Sequence, residues 1–100
     1  MEAYNVSISP AAQNDFRDIA GCISALSETT AAPFYETALE KIGALSKTPE
    51  IYPYAKDTQL RLRGYRVLPL EDYIVFYVVK GENVEILRIL FAKRIYKGLL

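Results

Sequence analysis

Residues 73–91 read YIVFYVVKGENVEILRILF, and this stretch decides the fold. Its first run, YIVFYVV, consists of β-branched and aromatic residues and carries no charge. Such a run is too apolar to leave a face in water, so it predicts a central strand. Lys80-Gly81-Glu82-Asn83 supplies a polar hairpin turn, and VEILRILF, charged only at Glu85 and Arg88, returns as the antiparallel partner. Working backwards, residues 62–68 predict a further strand that stops at Pro69, because proline cannot donate to a sheet ladder. Glu71-Asp72 then reads as a turn rather than as a catalytic pair of carboxylates. Residues 92–100, AKRIYKGLL, are a tail or a single helical turn held by Ile95, Leu99 and Leu100.

Further upstream, Tyr4, Val6 and Ile8 alternate with polar residues, the period of a half-buried strand. Ser9-Pro10 follows, a capping hydroxyl before a proline suited to the first helical position. Ala12, Phe16, Ile19, Ile23 and Leu26 then form one helical stripe, with Asp15, Arg17 and Asp18 expected to turn outward. Residues 27–30 break the pattern, Thr29 or Thr30 can cap a second helix, and Pro33 is expected in its first turn. Its stripe is Tyr35, Ala38, Leu39, Ile42 and Leu45. Residues 46–59, SKTPEIYPYAKDTQ, have two prolines and no helical period and predict a surface loop.

The resulting order is strand, helix, helix, strand, strand, strand over a single domain of residues 1–100. It predicts an α+β fold in which an N-terminal strand and a two-helix antiparallel hairpin pack on a small, mainly antiparallel sheet. The sheet face away from the helices is expected to be open. A hydrophobic content of 51% with five prolines and five glycines suits a packed core of this size. The apolar runs are short, and no basic segment followed by an apolar one opens the chain, so a protein without membrane contact is expected. One cysteine, Cys22, and no histidine point to a reducing cytoplasm and to neither metal nor cofactor. Cys22 itself reads as a small core residue. Any general acid or base would have to be Glu, Asp, Lys, Tyr or Cys22.

The formal net charge of +0 conceals an asymmetry. Residues 1–50 carry three basic and seven acidic side chains, and residues 51–100 carry nine basic and five acidic, so the halves stand at −4 and +4. Within the second half, Lys56, Arg61, Arg63 and Arg66 are interleaved with Tyr52, Tyr54 and Tyr65. Guanidinium groups bind phosphates and carboxylates bidentately and tyrosines offer stacking platforms, which suits an unpaired nucleic-acid strand or an acidic peptide. The plainer reading is a solvated loop and strand whose arginines keep the sheet edge from pairing. A second basic group, Arg88, Lys93, Arg94 and Lys97, surrounds Tyr96. If the sheet is arranged as predicted, both groups converge on one face suited to an anionic partner.

The C-terminal half, GYRVLPLEDYIVFYVVKGENVEILRILFAKRIYKGLL, resembles the signature region of the RelE/ParE toxin superfamily, and the opening strand into Ser9-Pro10-Ala11-Ala12 fits it as well. The resemblance implies a growth-inhibiting toxin of a bacterial type II toxin–antitoxin pair, a plasmid stabilisation system. It also implies a cognate antitoxin that neutralises the toxin in a hetero-oligomer. The superfamily divides into toxins directed at DNA gyrase and ribosome-dependent mRNA endonucleases. In the nuclease pattern basic residues alternate on the second strand, an arginine opens the third, another follows the fourth and a tyrosine lies in a C-terminal helix. Arg66 matches the first of these positions, Arg94 matches the arginine after the fourth strand and Tyr96 lies near the tyrosine, so these three would be the catalytic set of a nuclease. Leu68 and Ile74 stand where two further basic residues would be, and the variant that uses a histidine has none here. The incomplete set and the neutral total charge incline the reading to gyrase, with ribosome and mRNA as the alternative. Lys56, Arg61, Arg63, Arg88 and Lys93 then remain as candidates for binding an anion or a partner.

Overall fold

The computed structural model describes residues 3–26, 28–70 and 73–91, with the side chains of all of these except 20 and 22–35. Strand β1 (Asn5–Ile8) leads into helix α1 (Pro10–Leu26), and helix α2 (Glu28–Ala44) follows. A short helix α3 (Thr58–Leu62) precedes the strands β2 (Arg66–Leu70), β3 (Tyr73–Lys80) and β4 (Asn83–Phe91). The sheet order is β1-β4-β3-β2, with β1 parallel to β4 and the other pairs antiparallel. This is the predicted α+β arrangement, and residues 73–79 lie in the strand flanked by β4 and β2 as their composition required.

Ser9 makes the turn from β1 into α1. Its Oγ accepts from the Ala12 N–H and donates to the Leu87 carbonyl, so one hydroxyl both caps the helix and ties it to β4. The main core lies between the helical hairpin and one sheet face. Ala12 and Ile19 of α1 and Ala38 and Ile42 of α2 meet Leu68, Leu70, Val75, Tyr77, Val84, Ile86 and Ile89 there. Among the described residues no helix is long and apolar enough to cross a membrane.

Several expectations need correction. Residues 62–65 are not strand: Leu62 closes α3, whose cap is Asp57 with its carboxylate accepting from the Leu60 N–H, and Gly64 at φ +82° turns the chain out of the helix. The strand instead runs through Pro69 to Leu70. Val67 points its N–H outward, away from β3, to the Pro53 carbonyl. Pro69 shares that direction, so its missing N–H costs no bond to β3. Residues 46–59 are not wholly loop, because residues 53–55 add a short antiparallel ladder outside β2.

The second helix begins at Glu28, two residues after the last residue of α1, so Pro33 falls beyond its first turn. The sheet face away from the helical hairpin is not open either. Phe76 and Leu90 are buried on it with Ala55 and Leu60, and Tyr65, Val67 and Ile74 pack against them. The expected turn at Glu71-Asp72, the cap at Thr29 or Thr30, the core position of Cys22, the Ile23, Leu26 and Tyr35 stripe positions and the 92–100 tail lie outside the described residues or side chains.

Candidate anion and partner interface

Ladder bonds carry the chain from residue 53 into a small hairpin. Val67 donates to the Pro53 carbonyl, Ala55 donates to the Tyr65 carbonyl, and Tyr54 bridges Arg66. At the tip of this hairpin stands α3, held down by buried Leu60 alone, while Lys56, Gln59, Arg61, Leu62 and Arg63 are exposed. Three of the predicted partner-binding residues, Lys56, Arg61 and Arg63, are thereby gathered on one protrusion.

Arg66 lies at the base of that protrusion. Its Nη1 donates to the Tyr52 carbonyl at 2.6 Å and to the Glu50 carbonyl at 3.3 Å, and its guanidinium carbon sits 4.1 Å from the centre of the Tyr54 ring. These contacts pin the 50–54 segment to the edge of β2. They do not themselves cancel the charge of Arg66, because carbonyl dipoles and a ring quadrupole attract a cation without neutralising it. Next to this clamp Tyr77 donates its hydroxyl to the Pro49 carbonyl at 2.6 Å inside the core. Burial pushes the Tyr77 phenol up to about 12, against the lowering effect of the Arg66 charge.

Arg88 is placed elsewhere. A bulge in β4 sets Phe76 opposite Arg88 but Tyr77 opposite Ile86, which leaves Leu87 without a partner and breaks the inward and outward alternation. Arg88 nevertheless reaches α1, where its Nε and Nη2 donate to both carboxylate oxygens of Asp15 at 2.6 and 2.9 Å. One of these oxygens also accepts from the Ile89 N–H. The bidentate hydrogen bond, with the carboxylate charge beside it, raises the Arg88 pKa against the opposing effect of burial. Asp15 is thus not turned to solvent as its polarity suggested. Its position three after Ala12 and four before Ile19 is the sequence signal that puts it toward the sheet.

Arg88 is therefore not part of the cation group on the hairpin. Arg88 is bound to α1, Lys56, Arg61, Arg63 and Arg66 belong to the hairpin outside β2, and Lys93, Arg94 and Tyr96 lie outside the described residues. Of the two positions lacking a basic residue, Leu68 is fully buried in the helix-side core and Ile74 packs in the cluster on the opposite face. They do not share a surface. Sequence reasoning missed the exposed Leu62, whose surroundings became visible only once α3 was in place. An apolar groove also opens beside α1 and α2, lined by Ile8, Gln13, Phe16, Arg17, Leu39 and Ile42, with a volume of about 340 Å³.

Comparison with known proteins follows the same lines. The family model for the ParE toxin of the type II toxin–antitoxin system parDE matches residues 6–96. A chain from the chromosomal ParDE TA system of P. aeruginosa superposes with a TM-score of 0.75 at 20% identity, covering 91% of this chain and 98% of that one. A chain of the toxin-antitoxin complex RelBE2 from Mycobacterium tuberculosis superposes at 0.59 and 22% identity, covering 89% and 98%. Among curated proteins none matches.

Proposed function

Because the chain belongs to the ParE toxin family of type II toxin–antitoxin systems, we propose that it arrests growth by binding DNA gyrase rather than by cutting mRNA. A cognate antitoxin encoded beside it neutralises it in a hetero-oligomer, and both partners are cytoplasmic. The observation that carries this reading is the fate of the nuclease positions. Leu68 and Ile74 are packed into apolar clusters on opposite sheet faces, and Arg66 holds two backbone carbonyls and a tyrosine ring. A phosphoryl-transfer site needs several cations converging on one phosphate, and these positions supply no such set. The exposed Ile8 and Leu39 beside the groove along α1 and α2 support an apolar antitoxin segment as one contact of the complex.

The test is to express the chain with and without the adjoining short reading frame and to assay purified protein against gyrase on relaxed plasmid. Arrest that the neighbour relieves, together with loss of supercoiling, is expected. Normal supercoiling at a large molar excess of the protein contradicts the gyrase reading.

A further inference from the structure

The tip of the 53–67 hairpin carries an exposed leucine among cations. Leu62 is 80% exposed at the end of α3, directly opposite the buried Leu60 in helical phase. It is flanked in sequence by the exposed Arg61 and Arg63, and Lys56 enters the same helix, where the Asp57 carbonyl accepts from the Arg61 N–H at 2.9 Å. An isolated helix of five residues gains nothing from holding a leucine in water, and scattered apolar side chains are ordinary on any surface. What distinguishes Leu62 is its setting: a turn based on ladder bonds and the Arg66 clamp, with Arg61 as its exposed neighbour, Lys56 before the helix and Asp57, the cap, as the one acid of the turn.

Two of the three tyrosines that would make this a stacking platform for bases are engaged in packing, and Tyr54, 48% exposed, keeps one open ring face. Tyr52 packs against the main core, Tyr65 packs on the Phe76 cluster, and one face of the Tyr54 ring is covered by the Arg66 guanidinium. Binding of single-stranded nucleic acid relies on open aromatic faces as well as charge. An exposed aliphatic side chain on a turn of net positive charge instead matches a protein surface that presents an apolar pocket with acidic residues at its rim.

We propose that the α3 tip, through Leu62 with Lys56 and Arg61, is the contact by which this chain docks on an acidic protein surface of its target. The proposal rests on the reading of the chain as a toxin that acts by binding. Leu62 enters the pocket of the partner, and the cations steer the encounter and fix its register.

The experiment compares the full chain with Leu62→Ser, Leu62→Asp and the double variant Lys56→Glu with Arg61→Glu. The readouts are the inducer dose for half-maximal growth arrest and the thermal unfolding of each purified chain. Because these side chains are exposed, all variants should unfold near the wild-type temperature. Leu62→Asp and the double variant should each weaken arrest by about tenfold or more, and Leu62→Ser by a smaller factor, as expected for an interface anchor and its steering charges. Wild-type potency in both Leu62 variants overturns the proposal. So does loss confined to the charge-reversed variant, which would identify a nucleic-acid or other polyanionic partner. Codon-phased mRNA cuts in wild-type cells would contradict the gyrase reading, while the Leu62 comparison would still decide the surface. A wild-type chain that does not arrest growth overturns both.

Discussion

Two arginines, one on each side of the sheet, are fixed by opposite means. On the β4 side Arg88 is met by the carboxylate of Asp15, which also holds the Ile89 N–H. On the β2 side Arg66 is met, among the described residues, only by the carbonyls of Glu50 and Tyr52 and by the Tyr54 ring. Both side chains stitch a segment to a strand. At Arg88 the charge is cancelled within the fold, whereas at Arg66 no carboxylate of the described residues meets it and it adds to the field of Lys56 and Arg61. The difference teaches that position in a basic run says little about availability: a cation serves a partner only where the fold has not supplied its counter-charge.

Breaking the first site should have the larger effect. Asp15→Ala strands a half-buried guanidinium and an unbonded strand N–H, and should cost about 2–3 kcal/mol, lowering the melting temperature by roughly 10–20 °C for a domain of this size. Because the pair is only partly buried, high salt should shrink the gap between variant and wild type. A melting temperature within a few degrees of wild type would mean that the carboxylate contributes little.

Breaking the second site should cost less. Arg66→Ala releases the 50–54 segment without stranding a charge and should cost about 1–2 kcal/mol in thermal or urea unfolding. If Arg66 is a clamp, growth arrest by this variant should recover as the temperature is lowered and the fold is restored. Arrest abolished at every temperature in a stably folded Arg66→Ala chain would make the residue catalytic or partner-binding instead.

The extent to which these sites were legible in the sequence follows from the range of the interactions that make them. Strands β3 and β4 and the stripe positions Ala12, Ile19, Ala38, Ile42 and Leu45 were readable because their periods are local, and Ser9-Pro10 announced α1 for the same reason, whereas Leu39, expected in the second stripe, is 66% exposed. The β4 bulge was not, since which residue goes unpaired depends on the partner strand. Plain alternation would set Arg88 with Val84 and Ile86 on the helix side, whereas the bulge puts Ile89 there and pairs Arg88 with Phe76. Helix α3 was hidden because five residues with one buried leucine carry no period, although Asp57 before Thr58-Gln59-Leu60 is a capping signal. The Arg66 clamp depends on the path of a loop, which no local pattern encodes. Site residues were thus legible as charges but not as free or committed charges.

The smallest effect at neutral pH sharpens the comparison from inside the core. Tyr77→Phe removes the hydrogen bond to the Pro49 carbonyl beside the Arg66 clamp and should cost about 1 kcal/mol. Its signature is alkaline. The folded-state pKa of Tyr77 is raised from 10.0 to about 12, so its contribution is full below pH 10 and is lost as pH rises through 12. Wild-type stability should therefore fall more steeply than that of Tyr77→Phe between pH 10 and pH 12. Parallel curves would show that the phenol is not held neutral by its burial.

The central claim, that this toxin acts by binding and that its conspicuous arginines do not cut RNA, is met most directly by mapping mRNA 5′ ends in cells shortly after induction without the antitoxin. Arrested growth with messages intact at codon boundaries is the predicted result. Translated messages cut in phase with codons, and intact again with Arg66→Ala in a stably folded chain, would contradict it.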